Sequence, residues 1–281
     1  MFSSGENERR LEKLAAQVPA ELRQLTVTPG GRPVTAVKLG DGEHKVLVTA
    51  AHHANEWITA VLILEFLERN VPEILQSGAT LWAVPLVDPD GVDLVTGAAT
   101  EEEVAAAERL AENYPQIPFP EGWKADLQGV DLNLQYPAGW LQAREIKYMQ
   151  GFDRPGPRDF VGAYPLSQRE TKALAEFTEE IDPDLVLAYH TQGEEIYWQF
   201  EDIFVPGARE LGEEFAALSG YKLADTPYNS SFAGYKDWFI KRFHRPGYTI
   251  EAGSGENPLP LSQLPAIYEE NLPILLRSLR K

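Results

Sequence analysis

Cysteine is absent from all 281 residues, which excludes disulfides, thiolate metal sites and a cysteine nucleophile, and is compatible with the cytosol. Positive charge is scarce. With 25 Lys and Arg against 43 Asp and Glu, the net charge of −18 disfavours nucleic acid and anionic membranes as partners. An anionic substrate would have to meet locally placed cations. No apolar run approaches the ~20 residues of a membrane helix. The N-terminus, MFSSGENERRLEKL, lacks the apolar stretch of a secretory signal. Without a visible leader, the chain is expected to act in the cytoplasm. There is no internal repeat and no low-complexity linker. A hydrophobic content of 43%, with 10% aromatic residues, supports a large core and argues against disorder.

The most informative stretch is residues 45–57, KVLVTAAHHANEW. Its first half is short, uninterrupted and rich in β-branched residues, as a buried strand requires. Glu56 then opens an amphipathic run through Leu67 that reads as a helix. His53 and Glu56 therefore stand three apart where a strand gives way to a helix. From there an imidazole and a carboxylate can face one ion, as two of the three protein ligands of a catalytic zinc. HxxE alone also fits a solvated helix cap. His52 is the rival donor, but lacks the +3 spacing and would point to the opposite face if the strand runs on.

The rest of the chain alternates strand-like and helical runs. Residues 7–18 have helical spacing, with Leu11, Leu14 and Ala15 on one face. Residues 22–28 and 33–40 are strand-like around a PGGR turn. Residues 80–87 form a buried-strand candidate closed by a turn at 88–91 (DPDG). Residues 101–113 read as a solvated helix. Regular periodicity is thin over 114–160, a length of irregular chain that is usually functional. Residues 167–180 read as a helix capped by Ser167. Strands are expected over 184–190, 196–200 and 247–251, and helices over 210–219, 233–242 and 261–279. The alternation predicts a single α/β domain spanning 1–281, with a mixed, mostly parallel twisted sheet flanked by helices and residues 1–20 as a helical extension packed on it.

Three strand candidates end in polar groups: His53 with Glu56, then His190, then Glu251. Open α/β sheets bind ligands beyond the carboxyl ends of their strands, so these four can converge. Two imidazoles and a carboxylate hold zinc with one position open. A second carboxylate can take a proton from water, and a cation can stabilise the developing oxyanion. Taken singly, His190 also fits a hydrogen-bonded residue and Glu251 a salt-bridge partner. His44 and His244 lie in polar surroundings and are expected at the surface.

At these residues the chain resembles the zinc metallocarboxypeptidase family over essentially its whole length. HHANEW (52–57), GVDLN (129–133), AYHTQGEEIYW (188–198) and TIEAG (249–253) match that family's ordered motifs. Within it, WKADLQGVDLNLQYPAGW (123–140), PRDFVGAYPLS (157–167), HTQGEEIYW (190–198) and GYKDWFI (234–240) are similar to the γ-D-glutamyl-L-diamino acid endopeptidase branch. That resemblance implies one zinc ion and a small cell-wall peptide (muropeptide) substrate, cut at the γ-D-glutamyl to meso-diaminopimelate bond. It also implies His53, Glu56 and His190 as zinc ligands, Glu251 as general base and Asn133 as a holder of a substrate carboxylate. Lys124 falls where the family carries an arginine that polarises the scissile carbonyl, and a lysine keeps the charge without the planar fork.

Two departures bear on specificity. Leu134 stands where carboxypeptidases carry the arginine that grips a terminal carboxylate, and Ile240 is matched to the tyrosine that closes on substrate. Both count against ordinary C-terminal trimming. Arg144, Lys147, Arg154 and Arg158 are the nearby cations. The choice among them stays open, with Arg158 as the substrate-binding candidate. The rival readings are a carboxypeptidase acting on ordinary peptides, a zinc deacylase of N-acyl amino acids, and a metal-binding module without catalysis. The intact Glu251 disfavours the last.

Overall fold

Apolar runs short enough to be strands do pair into one sheet. The structure is a computed structural model that describes residues 2–281. Its strands are β1 (Ala20–Val27), β2 (Pro33–Leu39), β3 (Lys45–Ala50), β4 (Thr80–Val84), β5 (Leu185–His190), β6 (Glu195–Tyr197), β7 (Lys222–Ala224) and β8 (Gly247–Glu251). They lie in the order β1-β2-β4-β3-β5-β8-β6-β7. The centre, β4-β3-β5-β8, is parallel, while β1 to β2, β2 to β4 and β6 to β8 are antiparallel.

The helices are α1 (Ser4–Gln17), α2 (Ile58–Arg69), α3 (Val71–Gln76), α4 (Pro89–Thr96), α5 (Glu101–Ala111), α6 (Trp140–Met149), α7 (Arg169–Ile181), α8 (Ala208–Ser219), α9 (Tyr235–Phe243) and α10 (Leu264–Ser278). Every residue of β5 is buried. Leu185, Leu187 and Tyr189 face one core, built also from α1, α2 and α10, while Val186 and Ala188 face the other, with α7 and α9. Helices on both faces explain why the central strands read as continuous apolar runs rather than alternating ones. Each fully buried Val or Leu there contributes about 1.5–3 kcal/mol.

Local details depart from the expectations. Residues 88–91 do not turn back: Asp88 caps α4 and Pro89 is its first residue, because Asp-Pro suits a helix start as well as a turn. Gln168, not Ser167, occupies the N-cap of α7, and Ser167 bonds instead to Gln135 Oε1. The strand expected over 196–200 shrinks to Glu195–Tyr197. The stretch 114–160 contains α6 and a 3-10 turn at Leu132–Leu134. Phe2, Leu11 and Leu14 belong to the main core, so α1 shares its packing with the sheet.

Parallel pairing sets the site. Ala50 lies level with Tyr189, and His190 with Glu251, so β3, β5 and β8 end together. Among the described residues, no helix is long and apolar enough to cross a membrane.

Candidate metal centre and cleft

His53 and Glu56 sit at a 3-10 turn (Ala54–Glu56) between β3 and α2, and His190 is the last residue of β5. Their side chains meet. His53 Nδ1 is 2.9 Å from Glu56 Oε1, His190 Nδ1 is 2.8 Å from Glu56 Oε2, and the two Nδ1 atoms are 3.3 Å apart. One donor atom from each of the three lies within 4.8 Å of the others, and all three residues are buried. His53 Nε2 is 3.1 Å from Asp131 Oδ1. With Nε2–H donating to that carboxylate, Nδ1 faces Glu56 and His190 and, once it gives up its proton, can offer its lone pair to a cation held among the three. His52 faces away: its Nε2 is 3.1 Å from the Tyr136 hydroxyl.

Burial and charge oppose each other here. Burial disfavours the charged form of His53, yet Glu56 and Asp131 prevail and raise it to about 9. Burial would push Glu56 up, but His53, Lys124 and His190 hold it well below the usual carboxylate range. Burial lowers His190. Glu251, at the end of β8, is raised to about 8 by burial and by the neighbouring charge of Glu56. Lys124 Nζ donates to Glu56 Oε1 at 3.0 Å.

His53, Glu56, His190, Glu251, Lys124 and Asn133 all line one cleft of about 930 Å³, which Arg158 also lines. The zinc carboxypeptidase family profile matches residues 8–274. The chain belongs to the zinc carboxypeptidase family. One zinc ion is the cofactor this implies, and two imidazoles with a carboxylate are the donor set that such an ion takes.

Among the relatives of this family member is gamma-D-glutamyl-L-diamino acid endopeptidase 1 of Lysinibacillus sphaericus, 40% identical over 88% of this chain and 64% of that protein. The chain thus spans less than two thirds of that relative's length. An uncharacterised Bacillus subtilis protein is 38% identical over 97% of this chain and 75% of its own. In fold, bovine thrombin-activatable fibrinolysis inhibitor superposes with a TM-score of 0.76 at 16% identity, covering 99% of this chain and 96% of that one. Murein-tripeptide amidase from Escherichia coli O157 superposes with a TM-score of 0.61 at 20% identity, covering 91% of each chain.

The cleft sorts the remaining residues of this family member. Ile240 does not line it: the residue lies inside α9, buried in the core, so it holds no position from which to close on a substrate. Leu134 does line it and packs with Trp140, Ala143, Val161 and Ala233, giving that wall an apolar surface. His244 is exposed at the end of α9, but His44 is largely covered, 2.9 Å from the Ser278 carbonyl and 3.3 Å from Asp184. Sequence reasoning missed Asp131, although it sits inside GVDLN two residues before Asn133. It also missed Lys236, a buried cleft lysine that donates to the Gln199 carbonyl at 2.6 Å and lies 2.5 Å from Asp237. Its only sequence signal was a charge pair inside an otherwise apolar GYKDWFI.

Proposed function

We propose that this protein hydrolyses the γ-D-glutamyl to meso-diaminopimelate amide bond of bacterial cell-wall peptides. The observation that carries the reading is the His53–Glu56–His190 donor group opening on the same cleft as Glu251 and Lys124, in a chain 40% identical to an enzyme named for that bond class. His53, Glu56 and His190 would hold zinc, which when bound polarises a carbonyl and lowers the pKa of water. Asp131 fixes the tautomer and orientation of His53.

Glu251 acts as the base. Its carboxylate takes the proton of the attacking water and delivers it to the leaving nitrogen, so one group serves both halves of the reaction. Glu251, raised by burial and by Glu56, would be favoured in the ionised form the first step needs once His53, Glu56 and His190 hold a cation beside it. Lys124 brings an ammonium to the side where the carbonyl oxygen gains charge, releasing its contact with Glu56 as it does so. Asn133 Oδ1 accepts from Tyr235 N at 3.0 Å, which leaves its Nδ2 to meet a substrate carboxylate. The apolar Leu134 disfavours the carboxypeptidase alternative.

The test is hydrolysis of L-Ala-γ-D-Glu-meso-diaminopimelate by zinc-loaded protein, read by mass spectrometry beside a plain peptide with a free C-terminus. Cleavage of the γ-D-glutamyl bond alone is expected, lost on chelation and restored by zinc. Glu251→Gln should keep zinc and lose about 10²- to 10⁴-fold in turnover. Undiminished turnover in that variant, or cleavage of the plain peptide alone, contradicts the reading. The setting we propose is cytoplasmic turnover of such peptides, to be checked by fractionation.

A further inference from the structure

Arg144, Lys147, Arg154 and Arg158 lie near one another in sequence but differ in their surroundings, and of these four Lys147 and Arg158 line the cleft. The Arg144 guanidinium lies over the rings of Trp140 and Tyr148, and Arg154 is exposed on Asp153. Lys147 is buried against Asp159 Oδ1 at 2.5 Å. Arg158 lines the cleft, and its Nε donates to the other oxygen of the same carboxylate, Asp159 Oδ2, at 2.7 Å. Among the described residues no further hydrogen bond engages that guanidinium, so the two terminal nitrogens are an open planar fork.

The backbone fixes where the fork stands. Lys124 N and Ala125 N both donate to the Pro157 carbonyl, at 2.7 and 3.0 Å. Asp131 N donates to the Phe160 carbonyl at 2.9 Å, and Asp159 N to Asp131 Oδ2 at 3.3 Å. Gly156 N donates to the Gly129 carbonyl at 3.0 Å, an approach open only to glycine there, since a Cβ on Gly129 would come within 2.6 Å of Gly156 N. Arg158 is thus strapped between Lys124, which contacts Glu56, and Asp131, which contacts His53. Lys147 locks the carboxylate that orients it.

We propose that Arg158 binds the free α-carboxylate of the γ-linked D-glutamyl residue and thereby selects γ-glutamyl amides over their α-amidated forms. This rests on the γ-D-glutamyl reading and deepens it. Lys124 marks the side of the carbonyl oxygen, so a group strapped beside it meets the acyl half of the substrate and not the leaving diamino acid. In a γ-linked glutamyl residue the α-carboxylate lies four carbon–carbon bonds from the scissile carbonyl carbon, about 5 Å when extended. A planar carboxylate matches the open edge of a guanidinium in two parallel hydrogen bonds. An ordinary α-peptide carries no charge at that place.

The test compares kcat/KM for L-Ala-γ-D-Glu-meso-diaminopimelate with that for L-Ala-γ-D-isoglutaminyl-meso-diaminopimelate, which differs only in an α-carboxamide. Wild type is expected to favour the acid by about 10- to 100-fold, the worth of a charge-assisted pair. Arg158→Gln should bring that ratio to within about threefold, through loss on the acid, and Arg158→Lys should restore part of it. Zinc content and thermal unfolding report whether each variant is folded. Equal loss on both substrates by a folded Arg158→Gln, or a wild-type ratio near one, overturns this proposal and spares the parent reading. Failure of zinc-loaded wild type on both peptides overturns the parent reading and this one with it.

Discussion

Glu170 is buried in the first turn of α7 with neither carboxylate oxygen hydrogen-bonded. Burial, reinforced by the charge of Asp90, raises it from 4.5 to about 7. Asp88 and Asp126 are pushed up in the same way, each by burial and by a neighbouring carboxylate. The sign follows from proton counts. Between pH 4.5 and about 7 the native protein holds a proton on Glu170 that the unfolded chain has released. Stability from this group is therefore complete below 4.5 and is lost as pH rises toward about 7. Two and a half pH units correspond to about 3 kcal/mol at most. Glu170→Gln should be close to wild type at pH 4.5 and gain on it by up to about 3 kcal/mol at pH 8. Urea unfolding of both proteins, at equal zinc loading, measures the gap. A gap that does not change with pH rules out Glu170 as the titrating group.

Elements far apart in sequence are held together by Arg32, at the turn between β1 and β2. Its guanidinium meets Asp90 at 2.9 Å and Asp93 at 2.6 Å on α4, and Glu103 at 2.6 Å on α5, while Ser4 at the start of α1 bonds to Asp93. The Arg32 hydrogen bond holds Glu103 down at about 2, so that part of the network contributes above pH 4.5 and fades as pH falls toward 2. Arg32→Met strands three acids at a largely buried position and should cost about 3–5 kcal/mol at pH 7. Arg32→Lys should recover only part, because one ammonium cannot fork to three carboxylates. Urea melts at pH 7 and pH 3 test this, with the gap expected to narrow at the lower pH; a variant as stable as wild type at pH 7 sinks it. None of this network was visible in the sequence, whose PGGR read only as a turn. Local pattern marks an element, whereas an ion-pair hub depends on which elements touch. His53, Glu56, His190 and Glu251 stood out because each ends an apolar strand run or opens a helix. Ile240 was misplaced because a motif match carries no register for a helix, and α9 turns that side chain into the core.

The donor group binds together chain segments 134 residues apart, the β3–α2 junction and the end of β5. A metal held only by the native state adds about 4 kcal/mol when free zinc is a thousand times its dissociation constant. For a domain of this size that is roughly 10 °C in Tm. The metal-free protein should nonetheless stay folded, since both faces of the sheet are packed and Glu56 keeps His53, His190 and Lys124 as compensating partners. Chelation is thus expected to lower Tm by roughly 10 °C, leave the far-ultraviolet circular dichroism at 25 °C unchanged and abolish turnover, with zinc reversing all of it. Loss of secondary structure at 25 °C would mean that the charges around Glu56 do not balance without the ion. An unchanged Tm together with persisting turnover would remove the metal from this site altogether.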